Sequence, residues 1–541
     1  MRFLRALEGF SVYSPPGRPD PGLDRTVRLC AEHLQLLGAA VPAPAASGRI
    51  EGAGTGLSFG LTGWDGLGSG EVTEEAVQAR CGLTAVHGRA AGGPRPLGVD
   101  YVSVLAGVLA AQGILAGVLG RLRGIPVQRV ELPQARAATI VMATYVATAT
   151  ADEDADWFAT AELTGRYRPP FRSADGVRFE LETLDPDRWA RFWAALGAPD
   201  RAVSRSWRPF AARFGRAIAL LAPELFATAG AQPFARVVAV ARETGAAVVR
   251  VRALAERRAD PDLWPRKGTP APWELLAGPV TPGAAREPSP VPDGAVLPLS
   301  GLRVVESTSR MQGPMASRLL GMLGADVLRV EPPGGDPGRG TPPMAGDCSA
   351  WFRAVNHGKQ AVEIDFKTPA GRREVLELAA QADVFLHNWA PGKAGQLGLT
   401  PPDLAAVNPR LVYAEASGWG DALGPNPPVG TDFLVQAHSG VADLIDGRGS
   451  LVILLDVLGG AVAAEGVLAG LLGACRTGAG VVMRSSLLSA ATTLLLDELR
   501  GVTGKARRAP ACPPAVPADL ATTDAFEHHG CAVVTSPWRF S

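Results

Sequence analysis

The chain has 541 residues, 47% apolar and 20% charged, a composition that fills two or more cores and excludes an intrinsically disordered protein. Lysine plus arginine balance aspartate plus glutamate at 53 each, so no global charge recruits nucleic acid or an anionic membrane, and neutral or small partners are expected. The six cysteines (Cys30, Cys81, Cys348, Cys475, Cys512, Cys531) form no C-x-x-C pair and stand at no ligand spacing with the seven histidines, which points to a reduced, cytoplasmic protein without a metal site; the opening MRFLRALEGFSVYSPPGRPD has no apolar core of a secretory signal.

In chain order the first strong pattern is the apolar run VSVLAGVLAAQGILAGVLG (102–120), which returns as VLGGAVAAEGVLAGLLGA (457–474). Both runs approach the length of a bilayer span. Against that reading, both are rich in Gly and Ala and place Gln112 or Glu465 at mid-depth, where a polar group is costly. A buried helix whose small residues pack closely on a sheet fits better.

The repetition extends outward. TDFLVQAHSGVADL (431–444) answers EEAVQARCGLTAV (74–86), SGWGDALG (417–424) answers TGWDGLGSG (62–70), and SRLLGMLGADVLRV (317–330) answers RLCAEHLQLLGAAVPA (28–43), all in the same order. The blocks LGADV and SGW are separated by about ninety residues, LGAAV and TGW by only about twenty-five, so the first copy lacks the middle of the unit. After the first copy come YRPPFRSADGVRFELETLDPDRWARFWAALGAPD (167–200) and a helical stretch to about residue 256; then GPVTPGAAREPSPVPDGAVLP (278–298) reads as a Pro-rich linker.

The second copy alternates strands and helices. GLRVVE (301–306) and ADVLRVE (325–331) are expected as buried strands around a helix 313–323, then AVEIDF (361–366), a helix 369–381 and DVFLHN (383–388). Such alternation implies a parallel α/β sheet with ligands at the carboxyl ends of its strands, so chemistry is expected in the loops after Glu306, Glu331, Phe366 and Asn388.

The stretches PLSGLRVVE, QGPMASRLLGMLGADVLRVEPPGGDPGR, NHGKQAVEIDFKTPAGR, ADVFLHNWAPGKAGQLGL, NPRLVYAEASGWG and the DFLVQAHSG…LLDVLGG…GVLAGLLGACRTGAG run resemble the class III coenzyme A transferases, the formyl-CoA transferase and carnitine CoA-transferase group, over about 185 residues, 297–482. The resemblance implies an α/β fold with a Rossmann-like parallel-sheet large domain and a smaller α+β domain, and an active site between the large domain of one chain and the small domain of another. PFRSADG followed by a strand and W-x-R-F-W-A-A-L-G resembles the opening of the family's small domain, while the second copy stops at PWRFS (537–541), where its own would begin. The chain is therefore read as two degenerate halves fused into a pseudo-dimer with one active site: a shortened large-domain copy (1–150), a small domain (151–277), the linker (278–298), a CoA-binding large domain (299–490) and a tail (491–541) that packs on the first half or is loosely held.

The family's nucleophile is an aspartate ten residues before a helix glycine, which falls on Asp456 in LLDVLGGAVAAEG. A carboxylate there attacks an acyl-CoA thioester and passes through a mixed anhydride to an aspartyl-CoA thioester. The plain alternative is that Asp456 caps its helix. The same register puts Ser103 at that place in the first copy, with Asp100 about one turn early, so no chemistry is expected there. CoA contacts carried over from the family are the loop Ser309, Arg310, Met311 and Gln312, then Ile364, Asp365 and Lys367, and Asn388, Trp389 and Lys393; where the family commonly has an arginine this chain has Gln396, a loss that Lys393 or Arg339 would offset. His357 and His387 read as fold-stabilising.

No tightly bound cofactor and no metal are expected, the CoA thioester being a substrate. The pseudo-dimer stands alone or pairs once more. The α-methylacyl-CoA racemase branch pairs this aspartate with a histidine in G-H-D, but the triad here is Gly430, Thr431, Asp432, which favours CoA transfer. Intramolecular CoA transfer and a non-catalytic CoA-ester binder stay open. The segment ADLIDGRGSLVILL (442–455) shows no charged cluster that would announce a dicarboxylate acyl group.

Overall fold

A computed structural model of the chain describes residues 4–15, 21–151, 167–261, 263, 270–278, 287–502 and 514–541. Residues 152–166 of the expected small domain, 279–286 of the Pro-rich stretch and 503–513 of the tail lie outside the described residues.

The larger sheet follows from near-continuous apolar runs, the signature of strands covered on both faces. Its order is 360–363, 326–331, 303–307, 384–387, 412–417, 481–486 and 273–277. The first six pair in parallel; Trp273–Ala277, from the segment before the Pro-rich stretch, closes the edge antiparallel to Val481–Ser486. The expected strand 361–366 ends at Glu363: the Asp365 carboxylate accepts the Lys367 N–H at 3.1 Å and turns the chain, and Thr368 caps the helix Pro369–Ala380.

A second sheet runs in the order 11–13, 47–52, 55–62, 129–133 and 539–540. Its last strand comes from the far end of the chain. Arg539–Phe540 pairs with Arg129–Pro133, and the buried Trp538 indole donates to the Leu109 carbonyl at 2.7 Å, so residues 532–541 are fixed on the first half. A third unit has the antiparallel order 171–172, 178–182, 247–250 and carries four helices over 186–244. Phe171, Phe179, Trp189, Phe192, Trp193 and Phe210 give it a core of its own.

The repeated apolar runs are the helices Tyr101–Leu122 and Leu454–Thr477. By length and composition each is able to cross a membrane, but their apolar windows are wholly buried inside the fold. Each lies on a sheet through glycine: a Cβ on Gly117 would stand 2.6 Å from Leu57, and one on Gly470 would stand 2.9 Å from Val412. The two helices also meet each other. Tyr101 Oη donates to the Leu454 carbonyl at 2.7 Å and Gln112 Nε2 to the Ala461 carbonyl at 2.8 Å. Glu465, polar at mid-helix, receives His33 Nδ1 at 2.9 and 3.0 Å, with both residues buried. These partners take up Glu465 and the Gln112 amide nitrogen, while Gln112 Oε1 stays buried with no partner among the described residues.

Candidate active site

Asp456 is the third residue of the helix Leu454–Thr477, whose N-cap is Ile453, so it does not cap that helix. The first-turn N–H groups need other acceptors. Asp432 Oδ2 accepts the Asp456 N–H at 2.8 Å, and Tyr145 Oη, from the first half, accepts the Ile453 N–H at 3.0 Å. Asp432 is itself fixed: its Oδ1 accepts Gln436 Nε2 at 2.6 Å, and Gln436 Oε1 accepts the Ser450 N–H at 2.9 Å. Among the described residues nothing donates a hydrogen bond to the Asp456 carboxylate, which is half-buried at the mouth of its helix.

Burial and the neighbouring Asp432 carboxylate push the Asp456 carboxyl well above the usual carboxylate range, with Arg310 pulling it back and Glu182 adding to the rise. Burial pushes Asp432 up to about 7, against the hydrogen bonds it receives from Gln436 and from the Asp456 and Leu455 N–H groups. A carboxylate of raised basicity is a stronger nucleophile once ionised, and nearby Arg310 favours that ionised form.

The loop after Arg303–Ser307 is shaped by two residues. Asn388 clamps Ser309 from both sides, its Oδ1 accepting the Ser309 N–H at 2.9 Å and its Nδ2 donating to the Ser309 carbonyl at 2.8 Å. Arg310 follows with φ +65, a left-handed conformation unusual for a side-chain-bearing residue. Met311 is buried, and Gln312 Nε2 donates to the Ser417 carbonyl at 3.2 Å while its own carbonyl lies against Gly460, where a Cβ would come within 2.8 Å. The loop therefore brings Arg310 and Gln312 to the start of the Asp456 helix.

The remaining expected residues have varied settings. The Trp389 indole donates to Ser307 Oγ at 3.1 Å and stacks on His387 with centroids 4.4 Å apart; His387 lies 2.7 Å from Tyr413 Oη, and burial holds its pKa near 3, so it is a neutral, structural imidazole. Ile364 belongs to the core with Val305 and Val330, Asp365 and Lys367 are exposed in the following turn, Lys393 is half-buried and Gln396 is exposed. Arg339 is held by Glu331 at 2.7 and 2.8 Å and lies over the Phe352 ring at 4.6 Å, lining a cavity of about 330 Å³ with Arg329, Arg353, His357 and Lys359. Its charge is already matched by Glu331.

The first half repeats the carboxylate–glutamine and carboxylate–backbone bonds of this arrangement. Glu74, at the position of Asp432, accepts Gln78 Nε2 at 2.8 Å and the Ser103 N–H at 2.9 Å, and Ser103 stands where Asp456 stands in the second. There the Ser103 hydroxyl donates to Glu74 at 2.6 Å, Gln134 donates to Ser103 Oγ at 3.0 Å, and all three residues are buried. Burial and Asp100 push Glu74 up to about 7.

Sequence reasoning missed the acceptor role of Asp432 and the contributions of Tyr145 and Glu182. The V-Q-A repeat, which places Asp432 over Glu74, carried the signal for the first; the others lie far from Asp456 in sequence and had none.

The chain matches the family model for CoA-transferase family III over residues 59–269 and 299–523. It is similar to the succinyl-CoA:glutarate CoA-transferase of Mus musculus, 36% identical over 208 residues, covering 37% of this chain and 48% of that protein. It is likewise similar to the acetyl-CoA:oxalate CoA-transferase of Acetobacter aceti, 36% identical over 220 residues, covering 39% and 56%. Among solved structures, a CaiB/BaiF family protein from Brucella suis is 31% identical over 40% of this chain and 60% of that chain, with a TM-score of 0.35. The chain spans about half the length of the curated relatives it matches.

Proposed function

The chain belongs to CoA-transferase family III, and from that membership we propose that it moves coenzyme A from an acyl-CoA thioester to a carboxylic acid, with Asp456 as nucleophile. The observation that carries this reading is the setting of Asp456: its backbone N–H is held by Asp432 while, among the described residues, its carboxylate is left without a donor near Arg310. The relatives named above act on succinyl-CoA with glutarate and on acetyl-CoA with oxalate, which supports a thioester donor and a free-acid acceptor.

In the proposed sequence the Asp456 carboxylate adds to the thioester carbonyl and the C–S bond breaks, giving an acyl-aspartyl anhydride and CoA thiolate. The thiolate attacks the aspartyl carbonyl, the anhydride C–O bond breaks, and the donor leaves as its carboxylate. The acceptor carboxylate then attacks the aspartyl-CoA thioester and expels the thiolate. That thiolate takes the acceptor acyl group from the second anhydride and restores the Asp456 carboxylate. No oxidant, reductant or net proton is consumed.

The residues that support the steps are the Arg310 cation, placed to offset charge near Asp456, and Gln312, which lies against the helix that carries Asp456. The single site is proposed to lie between the large domain of the second half and the small domain of the first, in a fused pseudo-dimer. The matching bonds around Glu74–Ser103 and Asp432–Asp456 support common descent of the halves, and the closed, buried Ser103 supports loss of chemistry in the first. Thr431 supports transfer over racemisation, because a threonine carries no proton at neutral pH where a histidine would.

The test is mass spectrometry of the intact protein after incubation with succinyl-CoA or acetyl-CoA and quenching with hydroxylamine. Hydroxamate confined to the Asp456 peptide, and absent from Asp456→Ala, is expected. Turnover that survives Asp456→Ala refutes the assignment.

A further inference from the structure

Thr431 is the N-cap of the helix Asp432–Ser439, yet its side chain makes no capping bond. A threonine in that position ordinarily turns its hydroxyl onto the N–H of the second or third helical residue. Here Thr431 Oγ1 instead donates to Glu182 Oε2 at 3.1 Å, in the strand Arg178–Glu182 of the 171–258 unit. That oxygen also accepts Arg213 Nη2 at 3.0 Å, whereas Glu182 Oε1 is buried without a hydrogen-bond partner among the described residues. Glu182 and Arg213 are both fully buried.

Arg213 ties the two units a second way. Its guanidinium lies 3.5 Å from the centroid of Phe210 within its own unit and 4.9 Å from that of Phe433, the residue after Asp432. The far end of the same helix is held from the same unit, the Arg252 N–H donating to the Ala437 carbonyl at 2.9 Å. The helix carrying Asp432 is therefore gripped at both ends by the 171–258 unit, and Asp432 in turn fixes the backbone of Asp456.

We propose that Glu182, fixed by Arg213, is a positioning residue for the nucleophile: through Thr431 it sets Asp432, and through Asp432 the start of the helix that presents Asp456. The inference rests on the reading of Asp456 as nucleophile. It assigns the small unit a part in the chemistry beyond covering the site: a rigid, desolvated connection that sets where the carboxylate points. A buried charged acceptor shared between two donors is worth more than an exposed pair, because no water replaces a lost partner. Displacement of a reacting group by even about 1 Å costs about a hundredfold in rate.

The experiment compares Thr431→Val, Thr431→Ser and Glu182→Ala with the wild type. Succinyl-CoA and acetyl-CoA serve as probes, and the readouts are the rate of hydroxylamine-trapped label at Asp456, kcat and KM for the thioester, and free-CoA affinity. Thr431→Val keeps the Glu182–Arg213 pair, so it separates the connection from folding of the small unit. Expected are labelling and kcat lowered about tenfold or more in Thr431→Val, with KM and CoA affinity within about twofold, and recovery in Thr431→Ser. Glu182→Ala is expected to fall further. Wild-type labelling rate in Thr431→Val overturns the proposal while leaving Asp456 in place. If neither thioester labels the wild type at Asp456, the nucleophile assignment fails first and this inference with it.

Discussion

Substituting His33 by leucine would leave the Glu465 carboxyl buried without its hydrogen-bond partner. Glu465 is fully buried on the helix Leu454–Thr477; its two oxygens receive His33 Nδ1 at 2.9 and 3.0 Å, and the adjacent Gly466 lies against Met483 and Trp273. Removing one member of a buried pair costs about 3–5 kcal/mol, a change of roughly two to four powers of ten in the folded-to-unfolded ratio. Replacing both members by leucine removes the desolvation penalty together with the attraction, and such exchanges are often neutral or stabilising. His33→Leu/Glu465→Leu is therefore expected to be more stable than His33→Leu by about 2 kcal/mol or more. Urea denaturation at pH 7, followed by tryptophan fluorescence on the wild type, both single variants and the double variant, gives the coupling energy directly. A His33→Leu loss below about 1 kcal/mol, or a double variant no more stable than His33→Leu, refutes the claim that this pair secures the helix.

The Asp432–Asp456 pair makes stability depend on pH. Burial raises both carboxyls in the folded state, so at these two groups that state binds protons more tightly than the unfolded chain, and the pair's contribution to stability falls as pH rises from about 4 through about 7. Asp456→Asn removes one of the two charges. Its stability advantage is expected to be absent near pH 4 and to grow to about 1–2 kcal/mol by pH 8, read from melting curves across that range; an advantage equal at all pH values contradicts it. Ser103→Asp places a second carboxylate where the serine hydroxyl is 2.6 Å from Glu74, in a fully buried setting. The expected result is a loss of about 3 kcal/mol or more, and no return of CoA transfer in an Asp456→Ala background; denaturation curves and a transfer assay test the two parts.

Much of this protein was legible without coordinates wherever the determinant is short-range. Parallel strands declared themselves as apolar runs, with ends that shifted by a residue or two, and the AVEIDF strand stopped early because Asp365 turned the chain. The ten-residue spacing from Asp456 to Gly466, and from Ser103 to Gly113, aligned the halves closely enough that Ser103 and Asp456 make the same backbone bond to Glu74 and Asp432. Gly-rich composition likewise announced helices that press directly on sheets.

Long-range closure was not legible. That Arg539–Phe540 joins the sheet of the first half, that Trp273–Ala277 completes the sheet of the second, and that Tyr145 and Glu182 reach the Asp432–Asp456 corner are facts about partners more than a hundred residues apart. A strand edge accepts any backbone of suitable length, and a buried glutamate looks in sequence like an exposed one. Periodicity and spacing fix what each segment is; which segments meet is decided by the packing of whole surfaces, which exists only once the chain is folded.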